Sequence, residues 1–203
     1  PSSPAPHVVL GATGGAGRAV LHELLARDFP VRAVSRSGDA DVPDGVEVVA
    51  ADCTDAEAAR AACTNAAVVY NCLNVPYDQW PDVLPTLTEN SIDAAAHAGA
   101  PLIMTNNLYM YGPPEGPMTE DTPRRPQGPK GALRVEMETM LLDAHNRGRV
   151  PVAIGRASDF YGPHATSSTR ELVFDAALNG KTAAWLWSLD APHTMTYLPD
   201  AAL

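Results

Sequence analysis

Residues 7–17 read HVVLGATGGAG: a short apolar run, a turn with glycines at 11, 14, 15 and 17, and then a helical pattern that continues to Arg27. The spacing Gly11, Gly14, Gly17 is G-x-x-G-x-x-G, a variant of the dinucleotide fingerprint between a strand and a helix. A glycine at the turn adopts backbone angles that a Cβ forbids. The next glycine lets backbone N–H groups approach a pyrophosphate. The last lets the helix pack closely on the strand, and the helix N-terminus favours the anion. Gly11, Thr13, Gly14, Gly15, Ala16 and Gly17 are therefore candidate cofactor-binding residues. A glycine-rich turn with a purely structural role is the alternative reading.

The turn sets the frame for the rest of the chain. Further short apolar runs at 31–35, 46–50, 66–71, 101–105 and 150–156 predict strands. Helical stretches lie between them, one of them over 81–98. Another carries Leu133, Met137, Leu141 and Ala144 on one face. Residues 106–127 are rich in Gly and Pro and predict a loop. Buried strands alternating with helices predict an α/β fold, a doubly wound parallel sheet of Rossmann type covered on both faces. The expected organisation is a disordered lead-in over 1–6, a dinucleotide-binding domain over 7–165, and the start of a substrate-binding portion over 166–203. The closing MTYLPDAAL reads as a strand and then one turn of helix opened by Pro-Asp, so a C-terminal lobe of a longer protein is expected to follow.

Composition narrows the function classes. The net charge of −10 disfavours nucleic acid and anionic membranes as partners. No apolar run has the length of a membrane span, and the start shows no signal peptide. Cys53, Cys63 and Cys72 are odd in number and lack metal-ligand spacing, so reduced buried thiols in a cytoplasmic protein are expected. No metal site is expected. A small-molecule substrate is the expected partner, and a homodimer is an allowed assembly.

The end of the second strand selects the cofactor. An acid there would bind the ribose 2′-OH of NAD, whereas a base accommodates the 2′-phosphate of NADP. The segment VRAVSRSG places Ser35 and Arg36 there, with no acid before Asp39, which favours NADP while leaving NAD open. Arg18 is a second phosphate candidate. Asp52 can reach the adenine amine or cap the helix of TDAEAA that follows it. Asn74, after the fourth strand, completes the cofactor set.

GATGGAG, ADCTD at 51–55, LYMYGP at 108–113 and GRASDFYGP at 155–163 together resemble the extended and atypical short-chain dehydrogenase/reductase superfamily, specifically NAD-dependent epimerase/dehydratase proteins. The resemblance spans nearly the whole chain and implies a Rossmann-type fold and a nicotinamide cofactor. It implies a Ser/Thr four residues before Tyr111, where this chain has Asn107. It also implies a Y-x-x-x-K pair, which falls on Lys130 and Arg134 in GPKGALRVEME. In the final motif Arg156, Tyr161, Gly162 and Pro163 match, with Asp159 where Asn is usual.

These departures argue against the usual tyrosine mechanism. Four residues apart on a helix, Lys130 and Arg134 share a face. Lys130 can titrate, and burial beside a guanidinium would favour proton transfer from it. Asn107 can polarise a carbonyl, and Arg134 can bind ribose or an anionic substrate but cannot shuttle protons. Lys130, Asn107 and Arg134 are thus the candidate catalytic set. The alternatives are an exposed Lys130 and an Arg134 paired with Glu138. Tyr77 and Trp80 lie where the cleft opens. Tyr109 and Tyr111 could replace the missing phenol, and Asp159, Tyr161 and His164 end the sixth strand. The expected function is an atypical NADP-dependent short-chain reductase or epimerase/dehydratase-like enzyme. A non-redox isomerase, dehydratase or cyclase, and a catalytically silent NAD(P) sensor, are the rivals.

Overall fold

The structure, a computed structural model, describes residues 4–167, 169–185 and 188–203. Residues 1–3 of the expected lead-in lie outside the described residues. Pro6 is already docked, its carbonyl accepting from the Ala67 N–H at 2.8 Å.

A six-stranded sheet forms the centre: β1 His7–Leu10, β2 Val31–Ser35, β3 Glu47–Ala50, β4 Val68–Asn71, β5 Leu102–Asn106 and β6 Val152–Arg156. Its order is β3-β2-β1-β4-β5-β6, and every adjacent pair is parallel. The expected fold class is therefore the observed one. The expected strand at 150–156 begins two residues later, at Val152, because Pro151 has no N–H for the ladder. Its carbonyl still accepts from Leu102 N at 2.8 Å.

Side-chain alternation assigns the two faces. Val9 and Ala33 pack with Leu21 and Leu24 of α1 Gly15–Ala26. Val8, Leu10 and Val69 point the other way, into a core built by α2 Ala56–Ala62, α3 Trp80–Ala98 and α4 Gly128–Asn146. Leu133, Met137, Leu141 and Ala144 of α4 are all buried there, as the helical spacing predicts. Asp55, not Asp52, caps α2: its carboxylate accepts from the N–H groups of Glu57 and Ala58. The three cysteines are free and buried. Burial pushes their thiols up, to about 11 for Cys53 and Cys72 and about 12 for Cys63.

One strand of a second, small sheet is absent from the sequence reading; its partner is the strand expected in MTYLPDAAL. β7 Asp159–Tyr161 pairs in parallel with β8 Met195–Tyr197, and a short helical stretch containing α5 Ala176–Leu178 lies between them along the chain. After β8 the chain lays a 3₁₀ turn, Asp200–Ala202, against α1.

Candidate functional site

The site begins where the strand order reverses, between β1 and β4, at the carboxyl ends of the strands. Gly11 has φ +78°, and a Cβ there would lie 2.8 Å from the Cys72 carbonyl oxygen of the neighbouring segment. A Cβ on Gly17 would overlap the Gly11 carbonyl. The two glycines let α1 start directly above the strand tip. Gly14 N–H closes the turn onto Gly11 O at 3.0 Å. The first turn of α1 has no side-chain cap and no acidic residue. The N–H groups of Gly15, Ala16 and Gly17 are therefore left for an anion. Thr13 and Gly14 are exposed. Gly15 is roofed instead: a Cβ there would meet His164 O at 2.7 Å and Leu198 Cδ2 at 2.9 Å.

Arg36 is exposed just beyond β2. The Asp52 carboxyl is pulled down chiefly by Thr54, whose N–H and hydroxyl both donate to Asp52 Oδ1, with a smaller pull from the Arg36 charge. Asp52 is thus a local turn-former beside the pocket rather than a helix cap. Arg18 donates to Thr13 O at 3.2 Å and pairs with Asp41 at 3.3 Å, which ties it to the turn and a neighbouring loop. Asn74 is exposed in the segment after β4.

The other end of the cleft holds the altered pair. The helix begins before Lys130, so Lys130 and Arg134 do share a face of α4. Lys130 is half-buried and turned onto an aromatic ring. Its ammonium lies 2.9 Å from the Tyr77 ring centroid and donates to Tyr77 O. Tyr77, Trp80 and Tyr109 form one aromatic cluster, with centroids 4.7, 6.4 and 6.0 Å apart. Arg134 is buried beneath it, its Cζ 4.0 Å from the Trp80 ring centroid. Burial pushes the guanidinium down to about 10, still charged at neutral pH. The alternative pairing of Arg134 with Glu138 is overturned. Glu138, fully buried, is held by Arg124 from the long loop and Arg156 from β6.

Asn107 Oδ1 accepts from the Tyr109 N–H at 3.2 Å, which leaves its NH₂ group to donate. Arg134 Nη1 reaches Asn106 rather than Asn107, at 3.4 Å. Asn106, the last residue of β5, was not singled out from the sequence. Its position at a strand's carboxyl end was the available signal. Burial is the main cause that pushes the Tyr109 phenol up, to about 12, and its hydrogen bond with Tyr77 adds to it.

Of the remaining candidates, Tyr111 is buried, with the Arg156 guanidinium 5.9 Å from its ring centroid, apart from the ring contacts of Tyr77, Trp80 and Tyr109. Tyr161 is half-buried between Phe174 and Tyr197. Asp159 pairs with His193 at 3.1 Å, while His164 occupies a turn at φ +59°. No local signal marks His193, because only the β7–β8 ladder brings it to Asp159. Among the described residues no His/Cys/Asp/Glu group could hold a metal ion. Nor is any helix among them long and apolar enough to cross a membrane.

Residues 7–190 match the family model described as the NAD dependent epimerase/dehydratase family. No curated protein matches the sequence. Solved structures share the fold at low identity. A UDP-glucose 4-epimerase of Thermus thermophilus, in complex with NAD, is 21% identical at TM-score 0.79, over 97% of this chain and 72% of its own. A UDP-N-acetylglucosamine 4-epimerase of Methanobrevibacter ruminantium M1, with UDP-N-acetylmuramic acid bound, is 16% identical at TM-score 0.83, over 99% and 71%. A double mutant of DesIV, a dTDP-glucose 4,6-dehydratase of Streptomyces venezuelae with NAD bound, is 18% identical at TM-score 0.81, over 97% and 69%.

Proposed function

The chain belongs to the NAD dependent epimerase/dehydratase family, and from that premise we propose that it binds a nicotinamide dinucleotide, NADP in preference to NAD, and acts with it on a small organic substrate. The observation that carries this reading is the phosphate turn. Gly11 is crowded against Cys72 and Leu73 just beyond β4, Gly17 is crowded against Gly11, and the uncapped helix start lies at the point where the strand order reverses. These residues fit a dinucleotide: a side chain at Gly11 or Gly17 would strike backbone and displace the turn, and Gly15, Ala16 and Gly17 offer backbone donors to a pyrophosphate. Arg36, exposed just beyond β2, is the proposed partner of a 2′-phosphate, and Asp52 and Asn74 complete the proposed cofactor set.

Bound, the dinucleotide supplies hydride transfer, and the protein supplies orientation and proton handling. The Asn107 amide donates to a substrate carbonyl or hydroxyl. Lys130 holds a proton at Nζ, where the family's usual tyrosine would hold one. To deliver it, the side chain must swing off Tyr77 by rotation about its flexible stem. Tyr109, its phenol held protonated, donates a hydrogen bond and is no base near neutral pH. Tyr77, Trp80 and Tyr109 keep water from the reacting groups. Sugar nucleotides lead the substrate panel, because one structural relative is bound to UDP-N-acetylmuramic acid. The Asp159–His193 pair favours one second reading, an acid–base reaction without net redox.

Fluorescence titration of the protein with NADPH and NADH tests the proposal. Arg36→Asp should weaken NADPH by at least about tenfold and NADH far less, the loss of one charge-assisted contact. Equal weakening would remove the NADP preference, and failure of both dinucleotides to bind would remove the whole reading. Lys130→Ala should keep NADPH affinity and lose about 10²–10⁴-fold in kcat on a substrate found from the panel.

A further inference from the structure

Two buried donor atoms, one on α4 and one at the end of β5, have nothing to donate to among the described residues. Arg134 is 6% exposed and Asn106 4%, and among those residues Arg134 Nε and Asn106 Nδ2 have no hydrogen-bond partner. The guanidinium's hydrogen bond to Asn106 Oδ1, at 3.4 Å, is long. Its Nε–Nη2 edge meets no acceptor among the described residues. Neither does any carboxylate among them pair with it, since Glu138, one turn on, is committed to Arg124 and Arg156. Lys130, one turn earlier, adds a second positive charge over the same aromatic cluster.

Burying a cation without a counter-charge is strongly unfavourable. The contact with Trp80 offsets only part of that cost. Buried polar groups left unpaired in this way mark a place that something else completes. Ribose hydroxyls would satisfy the hydrogen bonds and leave the charge uncompensated. A carboxylate satisfies both, because its two oxygens match the planar fork of Nε and Nη2. The aromatic wall over the site borders solvent: Tyr77 and Tyr109 are 52% and 40% exposed.

We propose that Arg134 and Asn106 form a carboxylate-binding site, so that the substrate is a carboxylic acid whose carboxylate docks on the Nε–Nη2 edge of Arg134, with Asn106 Nδ2 as a further donor. The site deepens the function proposed above and rests on it only in placing the substrate beside the dinucleotide.

Calorimetric titration of the full chain with pyruvate, its neutral amide and inorganic phosphate, each with and without NADPH, tests the site. Pyruvate should bind at least about tenfold more tightly than the amide, the worth of one charge-assisted contact. Arg134→Gln should abolish that preference, and Arg134→Lys should keep part of it. NADPH affinity should change by less than about threefold in both variants, and their melting temperatures report folding. Equal binding of acid and amide by the unaltered protein would overturn the inference, whether or not the variants fold. So would an unchanged preference in Arg134→Gln, or phosphate displacing pyruvate. Loss of NADPH affinity in Arg134→Gln, with no pyruvate binding to the unaltered protein, would assign the guanidinium to the ribose and overturn it as well. Should the unaltered protein prefer pyruvate yet bind neither dinucleotide, the carboxylate site stands and the dinucleotide reading falls.

Discussion

Tyr109 shows how one side chain's surroundings decide its chemistry. Burial raises its phenol from 10.0 to about 12, so the folded protein keeps a proton that the unfolded chain loses first. The contribution to stability is complete below the unfolded value and is lost as pH rises through the folded one. Tyr109→Phe should therefore lose less stability than the unaltered protein between about pH 9 and about pH 12, measured by urea unfolding at each pH. Parallel losses in the two proteins would show that Tyr109 does not titrate differently on folding. At this scale residue identities were legible: Lys130 and Arg134 stand out by their spacing after a Gly-Pro turn. Their partners were not. The Lys130 ammonium rests on a residue 53 positions away, and the Arg134 guanidinium on one 28 positions away.

The elements that matter most are the β1–α1 turn and the loop-to-α4 junction. At Gly17 an added methyl has no room, because the clash is with the Gly11 backbone and not with a movable side chain. Gly17→Ala should cost about 1–3 kcal/mol or more in denaturant unfolding and should abolish NADPH binding. Gly116→Ala is the control: it has open space and an ordinary backbone, and should stay within about 0.5 kcal/mol. Equal behaviour of the two variants would mean the turn is looser than its geometry indicates. Element positions were legible because strand and helix periods are local. β7 was not, since a three-residue strand has no period to read and exists only through its ladder with β8.

Across the whole molecule, Glu138 joins three distant segments. It lies on α4, and its carboxylate holds Arg124 of the long loop and Arg156 of β6. Glu138→Ala leaves a partly buried guanidinium unpaired and should destabilise the protein by about 3–5 kcal/mol, measured by urea unfolding. The 107–127 loop should then become a site of rapid proteolysis. A smaller loss with the loop still protected would show that Pro and turn contacts, not the carboxylate, hold it. The amino-acid sequence by itself determined the parallel sheet and the phosphate turn. Both follow from short-range rules, alternation along a strand and the need for glycine where a Cβ would strike backbone. Only the tertiary structure decided which charges are neutralised. Arg134 and Glu138 are one helical turn apart and looked like a pair, yet they face different surroundings. Glu138 is closed by two arginines brought in from the loop and β6, while Arg134 is set against Trp80 and Asn106. A charge's partner is whatever packing brings to it across the fold, and spacing along one helix does not contain that information.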